Sequence, residues 1–271
     1  MSGPPRGRED FAGLALGEIR RRLDSGVSRV LEARLLAALA RDPRRGAREL
    51  AQRALRERAR QRAEARRLSR LFRLRRALFA SGARYVAGVD EVGVGPLAGP
   101  VVAAAVMLPA RVALPGLDDS KRLTARERER LDAAIRAQAL ALCVAEVDAA
   151  EVDRLDILRA TLLAMRRAVA GLAPCPDHVL VDARTIPDLA VPQQALVAGD
   201  ARDGSIAAAS IVAKVHRDAL MRRLDARFPG YGFAKHMGYG TREHLRALHA
   251  LGPSAVHRRS FAPVAQLALF S

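Results

Sequence analysis

Four acidic residues stand where a chain built for chemistry would place them. Asp90 and Glu91 are adjacent, at the end of the apolar run Tyr-Val-Ala-Gly-Val and just before Gly93-Val94-Gly95. Asp182 closes a second apolar run, and Asp200 lies in Val-Ala-Gly-Asp, ahead of a long stretch of small residues. An unpaired carboxylate in an apolar interior is strongly unfavourable, so acids at the ends of buried strands belong to a sheet edge or to a site. Carboxylate oxygens suit hard divalent cations such as Mg²⁺. Two such ions about 3.5–4 Å apart activate water and stabilise the leaving oxygen in phosphodiester hydrolysis. The commoner use of Asp after a strand is a helix cap or a turn, and both readings stay open at this level. Neighbouring strand side chains point to opposite faces. Convergence of Asp90 and Glu91 therefore calls for an immediate turn, which Gly93 and Gly95 permit because glycine tolerates positive φ.

The elements that must position these acids follow from hydrophobic period and punctuation. Residues 11–24 and 27–40 have helical spacing, Asp42-Pro43 interrupts it, and a long charged helix runs on to about Ala80, stopped by Ser81-Gly82. The stripe Leu68, Leu71, Phe72, Leu78 and Phe79 reads as packing. From Tyr85 the character changes. Residues 85–89, 100–108, 141–148, 178–183 and 194–198 read as strands, and 149–171, 205–228 and 241–251 as helices. Strands first, then alternation, indicate an α/β fold with a mixed sheet. The expected organisation is an Arg-rich helical extension over 1–83, a catalytic domain over 84–264 and a tail over 265–271. The glycine tract is not a dinucleotide loop: it misses the GxGxxG spacing, Pro96 and Pro100 disfavour the helix that should follow, and a strand follows instead.

Charge identifies the kind of partner. The 271 residues carry a formal net charge of +17. Residues 1–84 hold 23 Arg against 9 acids, whereas the remainder is nearly balanced. Such asymmetry points to a polyanion, most simply nucleic acid, although a solvated helical arm has the same composition. Only Cys143 and Cys175 are present, without metal-ligand spacing or a disulfide framework. The cysteine usage fits a reducing cytoplasm; with no long apolar run and no signal-peptide core at the N-terminus, no membrane span is expected, and the chain is expected to be a monomer.

The segments YVAGVDEVGVGPLAGPVVAAAVML, LDDSKRLT, DILRATLLAMRRAV, HVLVDA, GDARDGSIAAASIVAKVHRD, YGFAKHMGYGT and HRRSFAPV, in this order over about residues 85–264, resemble ribonuclease HII. The resemblance extends to a helical N-terminal extension found in some bacterial members. It implies a ribonuclease H-like fold, and endonucleolytic cleavage of RNA in RNA–DNA hybrids and 5′ to ribonucleotides embedded in duplex DNA. The ends are 3′-hydroxyl and 5′-phosphate, and the ions Mn²⁺ or Mg²⁺. By motif, Asp90, Glu91 and Asp182 are the implied metal ligands, with Asp200 completing the tetrad at the second ion. Gly93-Val94-Gly95 stands where the family reads a ribose 2′-hydroxyl with a Gly-Arg-Gly turn, so Val94 departs from the pattern. Backbone recognition survives that change, while any arginine contact to phosphate is lost. Tyr239 matches a tyrosine that stacks on the neighbouring deoxyribose, and Lys121 and Lys214 match basic positions able to face phosphate. Arg258 and Arg259 read either as groove-lining or as an exposed basic turn. Gln266, Leu267, Leu269 and Phe270 resemble the terminal peptide by which bacterial replication proteins bind the sliding clamp; a terminal helix packed on the body is the competing reading. The rival functions are a junction resolvase of ribonuclease H-like fold and a non-catalytic hybrid-binding protein.

Overall fold

The computed structural model describes residues 14–24 and 29–267. They divide into two compact units, at Arg67/Leu68. In the first, α1 (Leu16–Asp24), α2 (Arg29–Ala40) and the first part of α3 (Arg45–Leu71) close over Ile19, Leu35, Leu36, Leu39, Ala47 and Ala51. Arg58 pairs with Glu32 across this bundle. Beyond Ala51 most of α3 is exposed on every side.

The second unit begins well before the expected boundary at residue 84. The long helix does not run unbroken to Ala80: α3 ends at Leu71, Phe72 leaves the helical angles, and α4 (Arg73–Ala80) restarts. Leu71 and Phe72 are buried in the larger unit's core, and Leu74, Leu78 and Phe79 pack with Val86, Leu180, Leu196 and Ile206. Buried Arg75 donates to the carbonyls of Leu108 and Pro109. Residues 68–83 therefore belong with the larger unit, because their apolar stripe is covered there.

That unit is a five-stranded mixed sheet. Its strands are β1 (Val86–Val92), β2 (Val101–Met107), β3 (Ala141–Val147), β4 (His178–Asp182) and β5 (Gln193–Leu196), in the order β3-β2-β1-β4-β5. β1–β2 and β2–β3 are antiparallel; β1–β4 and β4–β5 are parallel. The helices are α5 (Ala125–Gln138), α6 (Ala149–Leu155), α7 (Ile157–Ala170), α8 (Gly204–Arg227), α9 (Phe233–His236), α10 (Arg242–Leu251) and α11 (Ala262–Leu267). One helix expected over 149–171 is two, because Asp156 takes φ 77° and caps α7 through the Arg159 N–H. Strand alternation sends Ala87, Val89, Val179 and Val181 into the core under α7, while Val102, Ala104 and Val106 meet the alanines of α8. The α8 backbone approaches β1 so closely that a Cβ on Gly88 would lie 2.1 Å from the Ser205 carbonyl carbon.

Candidate active site

The parallel register sets Val89 opposite Val181, so one residue further Asp90 stands beside Asp182 on the α8 face. Glu91, next on β1, starts from the other face. No turn intervenes, since β1 runs on to Val92; the expected immediate turn is replaced by reach. β4 ends at Asp182, and past that end the longer Glu91 side chain meets the two aspartates. Ligand oxygens of Asp90, Glu91 and Asp182 all lie within 4.8 Å of one another.

Asp90 is buried, and its neighbourhood is the most unfavourable for charge. Burial first, then the Glu91 and Asp182 carboxylates, push it well above the ordinary carboxylate range, against hydrogen bonds from the Ser210 hydroxyl and the Glu91 N–H. Burial raises Glu91 as well, opposed by the Arg184 guanidinium 3.6 Å away. One Glu91 oxygen, Oε2, is buried without a hydrogen-bond partner. Three converging carboxylates, one with an orphaned oxygen, are a donor set for a hard divalent cation, and such an ion would reverse the repulsion that raises the two acids. Asp182 is fixed by the Gly199 N–H, which donates to its Oδ1 at 2.6 Å. The bond ties the end of β4 to the 3₁₀ turn Gly199–Ala201, which carries Asp200. Ala183 and Ala198, either side of this junction, both adopt positive φ, an uncommon conformation for residues with a side chain.

Asp200 lies outside the tight triad but within its field. Lys121 Nζ stands 3.7 Å from Asp200 Oδ2. Partial burial lowers the Lys121 ammonium, but Asp200, Asp119, Asp90 and Asp182 outweigh this and raise it. Lys121 is thus brought to the acids, its side chain 83% exposed. Lys214 is engaged differently, donating to Asp218 one turn along α8 at 2.7 Å. Ser210, one turn before Lys214, was not singled out by sequence. Its hydroxyl bonds Asp90 and lies 2.8 Å from Ser120 Oγ, joining the acids to the loop of Lys121. The only signal in the sequence was a hydroxyl amid the small apolar residues of α8.

The glycine turn sits beside Tyr239. Gly93 has φ 90°, and Gly95 is exposed with the Tyr239 ring as its nearest neighbour. Tyr239 itself is 45% exposed. Two buried arginines brace the turn from behind. Arg258 donates to the carbonyls of Gly93, Val94 and Gly99, and Arg217 to those of Pro100, Met237 and Ala98. Burial pulls Arg258 down to about 9, leaving it cationic at neutral pH. Arg258 is therefore no groove-lining side chain, whereas Arg259 is exposed. In the tail Gln266 is exposed, and Leu267 packs partly against Leu97, Leu248 and Val264. Leu269 and Phe270 lie outside the described residues.

A mixed sheet flanked by α7 and α8, with acids converging at adjacent strand ends, defines a metal-dependent nuclease of ribonuclease H-like fold. The family model for ribonuclease HII matches residues 87–264. A ribonuclease HII of Anaeromyxobacter sp. is 52% identical over 257 residues, covering 94% of this chain and 81% of that protein. The chain belongs to the ribonuclease HII family, and its activity is endoribonucleolytic, on RNA–DNA hybrids and ribonucleotides embedded in DNA. Among solved structures, the ribonuclease H2 of Pyrococcus horikoshii shares the fold, with a TM-score of 0.60 at 24% identity over 69% of this chain and 98% of that one. The PCNA:RNase HII complex from Archaeoglobus fulgidus contains a second, with a TM-score of 0.55 at 28% identity over 66% and 96%. Among the described residues no helix is long and apolar enough to cross a membrane.

Proposed function

We propose that Asp90, Glu91 and Asp182 hold divalent cations, Mg²⁺ or Mn²⁺, two during catalysis, with Asp200 completing the site at the second. The convergence of three carboxylates within 4.8 Å carries this reading. Bound there, the ions would activate water and neutralise charge at the scissile phosphate. The chain's own groups do the positioning. The Ser210 hydroxyl orients Asp90, the Gly199 amide orients Asp182, and Arg184 holds Glu91 toward its partners. Lys121, exposed beside Asp200, offers a cation to a phosphate oxygen; Lys214 serves less directly, through its pair with Asp218. The Arg258 guanidinium occupies the carbonyls of Gly93 and Val94, leaving the turn's amides and Gly95 to meet the ribose 2′-hydroxyl. Tyr239 stacks beside it, and the two together distinguish RNA from DNA at one nucleotide. Cleavage falls 5′ to the ribonucleotide, leaving 3′-hydroxyl and 5′-phosphate ends. The deciding assay is cleavage of a duplex with one embedded ribonucleotide against the same duplex in DNA alone, with wild type and Asp90→Asn. Full Mg²⁺-dependent cleavage by Asp90→Asn would overturn the site; equal cleavage of both duplexes would favour a resolvase.

The tail from Gln266 to Phe270 fits a sliding clamp, and a related ribonuclease HII is solved in complex with PCNA. Docking requires Leu267 to leave its cluster with Leu97 and Leu248. A pull-down in which deletion of residues 266–271 leaves clamp binding unchanged sinks this assignment.

A further inference from the structure

Three histidines lie buried behind Tyr239, at some remove in sequence from one another. His236 closes α9, His244 lies in α10, and His257 is in the segment that follows α10. His236 and His244 stack with centroids 4.4 Å apart, and Tyr231 and Phe233 complete the aromatic nest.

Their hydrogen bonds fix every ring proton. His244 Nδ1 lies 2.9 Å from the Tyr239 carbonyl, which only accepts, so Nδ1 carries a proton. In a neutral ring Nε2 is then an acceptor. It lies 3.0 Å from His257 Nε2, which must donate. His257 Nδ1 is thereby an acceptor, and it meets the N–H and hydroxyl of Ser254 at 3.0 and 2.8 Å. His236 Nε2 donates to the Tyr231 carbonyl at 2.8 Å, and its Nδ1 accepts the Gly238 N–H at 3.2 Å. All six ring nitrogens are satisfied with three neutral rings. An added proton on any ring would point at another donor.

These bonds end on the two peptide units that flank the Gly238–Tyr239 peptide, at the Gly238 N–H and the Tyr239 carbonyl. The Tyr239 N–H also donates to the His236 carbonyl at 2.9 Å, and the Gly238 carbonyl accepts from the Leu97 N–H at 2.8 Å. We infer that His236, His244 and His257 are positioning residues for substrate recognition: the neutral hydrogen-bonded relay of His257 and His244, with His236 stacked on it and bonded separately to Gly238, holds the Gly238–Tyr239 backbone and so aims the Tyr239 ring at the Gly93–Gly95 turn. The inference rests on the reading of Tyr239 as a substrate contact. Burial lowers both His244 and His257, consistent with uncharged rings.

The test uses the full chain with a single-ribonucleotide duplex. His244→Leu removes the donor to Tyr239, while His244→Asn keeps an N–H near the Nδ1 position. His244→Leu is expected to raise KM about three- to tenfold with kcat little changed, the scale of one lost hydrogen bond. His244→Asn recovers most of the loss, and His244→Leu adds little in a Tyr239→Ala background. Equal behaviour of Leu and Asn, or full additivity with Tyr239→Ala, overturns the relay. If Tyr239→Ala leaves KM unchanged, the reading of Tyr239 has failed and the inference falls with it; if Tyr239→Ala raises KM and His244→Leu does not, only the relay has failed. Should His244→Leu not fold, ¹⁵N NMR of the wild-type imidazoles decides. The expected tautomers at neutral pH are Nδ1–H for His244 and Nε2–H for His236 and His257, and any other pattern overturns the inference.

Discussion

Asp90 is both the centre of the acidic triad and a strained residue within it. Replacing it with Asn removes one of three converging charges, so Asp90→Asn is expected to abolish cleavage and yet raise the metal-free melting temperature by about 2–6 °C, the equivalent of 1–2 kcal/mol in a domain of this size. Mg²⁺ or Mn²⁺ should raise the wild-type melting temperature and leave that of the variant nearly unmoved. Differential scanning fluorimetry with and without the ions checks both. His257 gives the opposite kind of pH response. Burial first, with the Arg259 cation adding to it, lowers it to about 4. Between about 6.5 and 4 the unfolded chain binds a proton that the folded chain refuses, so this contribution is constant above 6.5 and lost as pH falls. It amounts to about 2 kcal/mol from pH 7 to 5. The raised acids Asp90, Glu91 and Asp203 act in the reverse sense, since their folded forms hold protons more tightly. The clean measurement is therefore a difference: urea denaturation at pH 7 and 5 should show a smaller acid loss in His257→Gln than in wild type. At this scale the acids were legible in the sequence because a carboxylate closing an apolar run is conspicuous. Arg258 was not, because a basic pair in a loop resembles surface; its burial depends on carbonyls contributed by a glycine tract far earlier in the chain.

The elements carry the site through two close approaches. α8 lies on β1 at Gly88, and the small residues from Ala207 to Ala213 make that separation possible. Gly88→Ala would drive a methyl into the α8 backbone, moving the helix that supplies Ser210 beneath Asp90. The expected cost is about 1–3 kcal/mol, with a loss of kcat out of proportion to it. A thermal melt and single-turnover kinetics on the same preparation separate the two effects. The strands and α8 could be read from period and β-branching, but the end of β1 could not. Whether Glu91 joins Asp90 by a turn or by reach depends on where the neighbouring β4 stops. The break between α6 and α7 was equally hidden, since Asp156 reads as an ordinary polar position until its positive φ and its cap are seen.

At the scale of the whole chain, the position of the division decides what a truncation means. The sequence pattern placed it near residue 83, where Ser81-Gly82 stops a helix; the packing places it at Arg67/Leu68. Removing residues 1–83 would strip Leu71, Phe72 and Arg75 from the catalytic body, and the Phe72 ring fills the space that a side chain at Gly204 would need. Losing a buried Phe alone costs about 3–5 kcal/mol. Deletion of 1–67 is therefore expected to leave a folded, active enzyme, and deletion of 1–83 an unstable one, as circular dichroism melts will show. The shorter deletion also isolates the arm's charge, 18 Arg against 9 acids over residues 1–67. Much of that charge lies on the exposed part of α3, including Arg53, Arg56, Arg62 and Arg66. If these arginines meet phosphates, each contact releases counterions and steepens the salt dependence of binding by about 0.7–0.9 in the slope of log K against log salt. Fluorescence anisotropy of Asp90→Asn with and without residues 1–67, on an embedded-ribonucleotide duplex, is expected to show a shallower slope for the truncated chain. An unchanged slope would make the arm a solvated helical extension whose charge serves solubility alone.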